Sequence, residues 1–222
     1  MPWNPDWRGA SGSDGQAIIL DPATGREWNL WRVRFDGQWV HASNGNLVPG
    51  SFWCREVGFA PSRGAGIPYL AMLVRPAEVR LGVIEHALSM AVRNTNRDRY
   101  VPPATKLEGG SWAVKDGIPE GTRFALDATD ADIEAWIAAF PDKVGAATRR
   151  SARIIARALI DYGWFITDHA GAPHLQFEDR LTAGAEWDAL GLGKVTTQGK
   201  TYPRDLLDGL LRPERMYAVV SS

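Results

Sequence analysis

The chain of 222 residues has a single cysteine, Cys54, so it cannot form an internal disulfide. No apolar run approaches the roughly 18 residues that a membrane-spanning helix needs. The formal net charge is −1, which creates no overall field that would attract nucleic acid or an anionic membrane. We therefore expect neither a nucleic-acid partner nor a membrane partner.

The sequence also lacks the motifs of common cofactor and metal chemistry. Residues 62–66 are glycine-rich but precede a predicted strand instead of a helix, which does not fit nucleotide binding. Asp168, His169 and His174 do not have the spacing of a closed zinc ligand set. We expect no cofactor and no metal, and leave open a structural calcium ion, whose loop ligands leave little trace in sequence.

The first 15 residues have no basic region followed by an apolar stretch, so they do not read as a secretory leader. Gly, Ser, Pro and Asp dominate this segment, which predicts an irregular N-terminal arm. We expect residues 16–222 to form a single domain. With 23 glycines and 14 prolines spread along the chain, many short strands are expected rather than a helical bundle.

Alternating apolar and polar residues predict most of the regular structure. Two helices are expected in the middle of the chain, at 130–140 with Thr129 as N-cap and at about 146–162 before Gly163. Short helical pieces are expected near 185–190 and 204–211. Strands are predicted at 17–20, 26–35, 38–42, 67–74, 83–92, 122–127, 164–168, 174–178 and 216–220. The predicted fold is mainly β (α+β), a jelly-roll-like β-sandwich with a helical insertion at about 129–162 packed on one side.

Tryptophan is abundant: ten of the residues are tryptophan, and six of these lie in the first quarter of the chain. The usual flat partner of exposed indoles, apolar on its faces and polar at its edges, is a sugar ring. Trp28 and Trp31 fall on opposite faces of one predicted strand. One of them is therefore expected to line a cleft or to lie under the helices.

Two sets of residues are candidates for catalysis. His86 lies on the apolar face of a predicted strand, either as a hydrogen-bonded core histidine or as a cleft-facing base. In a glycoside hydrolase, Asp168 and Glu27 would form the acid/base pair. In a lyase, His86 would abstract the proton α to a uronate carboxylate that Arg63 or Lys106 neutralises.

Six ordered segments resemble a group of actinobacterial β-sandwich proteins, mostly secreted, that are associated with acting on or binding polysaccharide. The resemblance spans roughly residues 15–180 and implies a concave face that receives a glycan. The residues themselves suggest the contacts: the expected substrate-binding residues are Trp28, Trp31, Arg63, Tyr69, Arg75 and Lys106, the arginines and the lysine as binders of a sugar carboxylate or phosphate. The segments lie at 21–31, 63–70, 74–78, 84–88, 103–106 and 155–163.

We therefore expect a carbohydrate-active protein that cleaves a glycosidic bond, as a hydrolase or a lyase, with a polysaccharide or oligosaccharide as its partner. The alternatives are a non-catalytic glycan-binding module, for example of a phage tail, and a structural virion protein. The resemblance implies an extracellular or virion-associated location, and without it a cytoplasmic one. The sequence does not predict an oligomeric state.

Overall fold

The computed structural model describes residues 1–48, 63–110 and 113–219. The fourteen strands in these ranges are β1 (Ala17–Asp21), β2 (Arg26–Trp31), β3 (Arg34–Phe35), β4 (Val40–His41), β5 (Asn44–Val48), β6 (Leu88–Val92), β7 (Thr95–Tyr100), β8 (Ile118–Glu120), β9 (Arg123–Leu126), β10 (Trp164–His169), β11 (His174–Leu175), β12 (Val195–Thr197), β13 (Lys200–Tyr202) and β14 (Met216–Val219). The four helices are α1 (Pro76–Leu81), α2 (Asp130–Ala138), α3 (Ala146–Asp161) and α4 (Arg180–Ala189). The mainly β class is thereby confirmed, and the jelly-roll sandwich stays a prediction.

Residue contacts divide the chain into two compact units. Unit 1 comprises Met1–Leu73, Ser89–Thr122 and Ile166–Leu175, and unit 2 comprises Val74–Leu88, Arg123–Phe165 and Gln176–Ser222. The chain passes from one unit to the other five times, so neither unit is one continuous segment. The single-domain division expected from the sequence stays a prediction.

Unit 1 is built mainly from strands. Its first sheet is antiparallel in the order β1–β2–β5, with Ala17 opposite Leu30 and Trp28 opposite Leu47. Strands β3 and β4 form the expected hairpin around residues 36 and 37. In the same unit, β6 pairs with β11, and β7 pairs in parallel with β8. A small core of Ile19, Leu30 and Val33 is covered by partly buried residues that include Trp3 of the N-terminal arm.

Unit 2 carries the four helices. Helix α2 begins as predicted, because Thr129 and Asp132 form a reciprocal capping box. Helix α3 buries a stripe that includes Ala152, Ile155 and Leu159, and Gly163 follows it with a φ of 70°. In this unit, strand β9 pairs with β14 and with the first residues of β10.

Three predicted elements are wrong, and side-chain hydrogen bonding accounts for the largest error. Residues 67–73 form turns instead of a strand, since the side chains of Asn29 and Glu27 accept the N–H groups of Tyr69 and Leu70. Of the predicted strand at 83–92, only β6 is a strand, and all five of its residues are buried. Residues 204–210 form turns without a helix.

Helix α1 is not among the predicted elements, since the sequence predicts a strand that ends at residue 74, directly before Arg75 and Pro76. Pro76 instead occupies the first helical turn, where a backbone N–H would have no intrahelical acceptor, so proline is tolerated there. Glu78 reaches back to the backbone N–H of Arg75 at 3.1 Å. The helix ends at Gly82, whose φ of 101° is readily available to glycine.

Candidate acid–base site in unit 1

Three carboxyl side chains of unit 1 come together where the ends of two strands meet a loop. Asp168 lies near the end of β10, Glu120 ends β8, and Glu108 lies in the loop before β8. The backbone N–H of His169 donates to Oε2 of Glu108 at 3.0 Å and to Oδ1 of Asp168 at 2.9 Å. The N–H of Glu108 donates to Oε2 of Glu120 at 3.2 Å. We call Asp168, Glu108 and Glu120 the carboxyl cluster.

Glu108 is the middle member of the carboxyl cluster. Its carboxyl group interacts with the carboxyl groups of both Asp168 and Glu120, and these interactions affect the pKa of each group. An ionised carboxylate only accepts hydrogen bonds, so each carboxyl–carboxyl hydrogen bond requires a proton on one of its two groups. Neighbouring carboxyl groups are therefore stabilised when one of them keeps its proton.

Burial is the main cause that raises the pKa of every member of the cluster. It raises the pKa of Asp168 to about 7, with a further contribution from the charge of Glu108. It raises the pKa of Glu108 to about 7 and that of Glu120 to about 6. The cluster therefore retains protons near neutral pH, where a carboxyl group in water is ionised.

A buried arginine balances the negative charge of the cluster. Arg63 is 1% exposed, and its guanidinium donates to the carbonyl oxygens of Ala71 at 3.0 Å and Tyr69 at 2.8 Å. Burial lowers the pKa of Arg63 to about 10, while the charges of Asp168 and Glu27 favour its protonated form. Arg63 therefore stays cationic at neutral pH and acts on Asp168 through space.

Two glycines, Gly64 and Gly110, leave space for the side chains of the site because they have no Cβ atom. A Cβ atom on Gly64 would collide with Oε2 of Glu108 and would lie 2.8 Å from Oδ1 of Asp168. A Cβ atom on Gly110 would lie 2.5 Å from Cε1 of His169. Because glycine has no Cβ, the backbone can approach these side chains closely.

A histidine and a lysine stand beside the acids. Nδ1 of His169 lies 3.3 Å from Oε2 of Glu108, but the two atoms do not form a hydrogen bond. The charge of Lys106 acts on Glu120 and opposes the rise of the Glu120 pKa. The side chain of Glu108 is 21% exposed, whereas Glu120 is 1% exposed. Glu108 is thus the more accessible of these two acids.

Two further residues predicted from the sequence, Glu27 and Tyr69, also belong to unit 1. Glu27 accepts the side-chain amide of Asn29 at 2.6 Å and the N–H of Leu70 at 3.2 Å. Tyr69 is almost fully buried, with its ring centroid 5.8 Å from the guanidinium carbon of Arg63. Asp168, Arg63, Glu27, Tyr69 and Lys106 are therefore all parts of unit 1.

The two tryptophans of β2 have different surroundings. Trp28 packs on the core of Ile19, Leu30 and Val33. The indole N–H of Trp31 donates to Asp14 at 3.3 Å, and the guanidinium of Arg32 lies 4.3 Å above its ring. A role in substrate binding stays a prediction for both.

His86 and Arg75 belong to unit 2, where both bind the same carboxylate. Nε2 of His86 lies 3.1 Å from Oε1 of Glu78, and Nδ1 lies 2.9 Å from the carbonyl oxygen of Ala87. Arg75 donates to Oε1 of Glu78 at 2.6 Å. These contacts surround the first turn of α1, and the catalytic and binding roles of the two residues stay predictions.

Sequence reasoning selected Asp168 but missed Glu108 and Glu120. Glu108 lies in a predicted loop, and Glu120 ends a three-residue strand that was not expected. The one local signal is the Gly109–Gly110 pair directly after Glu108, which marks a backbone that approaches another group closely.

Two findings concern the described residues alone. Within them, no group of three or more His, Cys, Asp or Glu side chains is arranged to hold a metal ion. In the same ranges, no helix has both the length and the apolar character to cross a membrane.

The chain matched no protein family, no characterised protein and no solved structure. The resemblance inferred from its sequence therefore stays a prediction. Its function has to be inferred from its own residues.

Proposed function

We propose that unit 1 carries the acid–base centre of a carbohydrate-active enzyme that hydrolyses a glycosidic bond in a polysaccharide. The observation that supports this is the carboxyl cluster, whose members keep protons near neutral pH. Glycoside hydrolysis needs a carboxylic acid that is still protonated at working pH and can protonate the leaving oxygen.

Glu108 is the proposed proton donor because it is more exposed than Glu120 and interacts with Asp168. It donates its proton to the glycosidic oxygen as the bond from that oxygen to the anomeric carbon breaks. Asp168, which accepts the same backbone N–H of His169 as Glu108, then supplies a proton to it. Asp168 and Glu108 thus act as one acid.

The second carboxylate has to be a different residue, because the two carboxyl roles require groups roughly 5–10 Å apart. Asp168 and Glu108 accept the same N–H group of His169 and act together as the acid. We propose Glu27, the partner of Asp168 expected from the sequence, as the base that takes a proton from water. The water oxygen then forms the new bond to the anomeric carbon.

The lyase alternative has less support from the described contacts. It needs a cation that can meet a uronate carboxylate, and Arg63 is buried and donates to backbone carbonyls. Lys106 remains available for that role. The jelly-roll sandwich with a concave glycan-binding face, and an extracellular or virion-associated location, accompany this proposal as predictions.

The test is incubation with neutral and acidic polysaccharides, following new reducing ends and the absorbance of unsaturated uronates. We expect reducing ends without absorbance, and a loss of about 10²–10⁴-fold in rate for Glu108→Gln and Asp168→Asn. Glu27→Gln tests the base. Asp98→Asn is the control, since this exposed aspartate of unit 1 pairs with Arg97 and should keep full activity.

Three other results would contradict the hydrolase. Absorbance from unsaturated uronates that is lost in Lys106→Gln would favour the lyase. Binding of polysaccharide without any cleavage would identify a glycan-binding module, and neither cleavage nor binding would favour a structural protein.

A further inference from the structure

Unit 2 contains a cavity of about 400 Å³ that no catalytic role accounts for. It is lined by helix α2, the residues that follow this helix, strand β13 and the segment 208–215. This volume lies within the range of pockets that hold small organic ligands.

An aromatic surface forms part of the cavity. Trp136 and Phe140 meet edge to face with ring centroids 4.9 Å apart, and Phe140 lies 5.6 Å from Tyr202. The indole N–H of Trp136 donates to the carbonyl oxygen of Asp208 at 3.0 Å. Because the polar edge of Trp136 is held in this way, the orientation of its ring is fixed before a ligand arrives.

The end of α2 is also held in place. The guanidinium of Arg149 donates to the carbonyl oxygens of Ile137, Phe140 and Pro141. These bonds satisfy carbonyl groups that the end of a helix leaves without partners. The aromatic wall is therefore preformed, which lowers the entropic cost of binding.

The charged residues that line the cavity include one more cation than anions. Lys200 pairs with Asp208 at 2.8 Å, and Arg215 pairs with Asp132 at 2.9 Å. Nε of Arg212 donates to the carbonyl oxygen of Gly209 at 3.0 Å. Within the described ranges, no carboxylate forms an ion pair with Arg212. The lining thus has a net charge of +1.

We propose that this cavity binds a six-membered ring that bears one carboxylate, as in a uronate sugar. The ring face packs on Trp136, and the carboxylate binds Arg212. The bond from Nε to Gly209 orients the guanidinium and leaves its two terminal nitrogens for the two carboxylate oxygens. This proposal rests on unit 2 alone and does not depend on the acid–base site.

Isothermal titration calorimetry of the full chain with glucuronate, glucose and benzoate tests this site. Glucuronate and glucose have similar rings but differ in charge, so we expect glucuronate to bind at least about tenfold more tightly. Benzoate distinguishes the two sources of a ring carboxylate. Tighter binding of benzoate than glucuronate would assign the site to aromatic acids, and the reverse would assign it to sugar acids.

Arg212→Gln is expected to weaken binding of the preferred acid at least about tenfold, and Arg212→Lys less, because lysine keeps the charge without the fork. Arg212 is exposed, so both variants should keep the thermal midpoint of the parent. Arg180→Gln is the control, since this exposed arginine of α4 pairs with Asp188 and does not line the cavity. The proposal is overturned by failure of both acids to bind, by equal binding of glucuronate and glucose, or by equal effects of Arg212→Gln and Arg180→Gln.

Discussion

The three acids of the carboxyl cluster in unit 1 and two acids of unit 2 that pair with arginines have opposite kinds of partner. In unit 2, Asp132 pairs with Arg215 and Asp205 pairs with Arg204, and hydrogen bonds lower the pKa of both acids. In unit 1, Asp168, Glu108 and Glu120 bind one another, and burial raises the pKa of all three.

These two acids of unit 2 form ordinary ion pairs, whereas those of the carboxyl cluster keep protons near neutral pH. An exposed ion pair is tolerated almost anywhere and contributes little to stability. Buried carboxyl groups that face each other oppose folding at neutral pH, since ionisation of one disfavours ionisation of the next. Such an arrangement is typical of functional sites, where a raised pKa serves acid–base chemistry.

The largest expected effect is on the pH dependence of stability. The folded cluster has pKa values of about 6–7, whereas the same groups in the unfolded chain ionise near pH 4. Between these values the folded state binds more protons, so the free energy of unfolding falls as pH rises from about 4 to 7. We expect Asp168→Asn to abolish about 2–4 kcal/mol of this fall, measured by urea unfolding at pH 4, 5, 6, 7 and 8.

The control for this experiment is Asp98→Asn, which should keep the pH dependence of the parent because Asp98 is exposed beside Arg97. At pH 8, Asp168→Asn should be more stable than the parent, and at pH 4 the two should be alike. Parallel pH curves for Asp168→Asn and the parent would show that Asp168 is already ionised in the folded state.

A smaller effect is expected from filling the space beside the cluster. The added methyl group of Gly64→Ala would displace the carboxyl group of Glu108 from Asp168. We expect a loss of about 1–3 kcal/mol in the free energy of unfolding at pH 5, where the cluster is protonated. Urea unfolding measures this loss, and the rate of polysaccharide cleavage should fall in parallel.

Gly109→Ala is the matched control, since among the described residues no atom beyond its chain neighbours lies within 4 Å of the position of its Cβ. Gly109 is the neighbour of Glu108 in the chain and has the same loss of backbone freedom on substitution. Equal destabilisation by the two substitutions would argue that backbone conformation, and not contact with the cluster, makes glycine necessary at residue 64.

Local signals predicted the elements whose hydrogen bonds are local. Thr129 identified the start of α2 and Gly163 the end of α3, and both helices are confirmed. The segment 67–73 failed as a strand because Asn29 and Glu27, about 40 residues away, satisfy its N–H groups. An apolar run shows that a segment is buried without showing which groups satisfy its backbone.

The same limit explains what sequence reasoning found of the candidate site. Asp168 could be selected because it ends an apolar strand before a turn. Glu108 and Glu120 could not, since their raised pKa values come from burial and from each other. That arrangement depends on contacts such as the one between His169 and Glu108, which are 61 residues apart.

The smallest expected effect is the loss of the stability that Asp205 contributes to unit 2. Hydrogen bonds from Arg204 and from the N–H of Thr201 lower the pKa of Asp205 to about 2. Stability from this group is therefore present above pH 4 and is lost as pH falls toward 2. Asp205→Asn keeps an oxygen for Thr201 but loses the charge that pairs with the exposed Arg204. We expect the thermal midpoint at pH 8 to fall by less than about 3 °C, opposite in sign to the effect of Asp168→Asn. A higher midpoint for Asp205→Asn would mean that carboxylates oppose folding in both units, and the contrast between them would be lost.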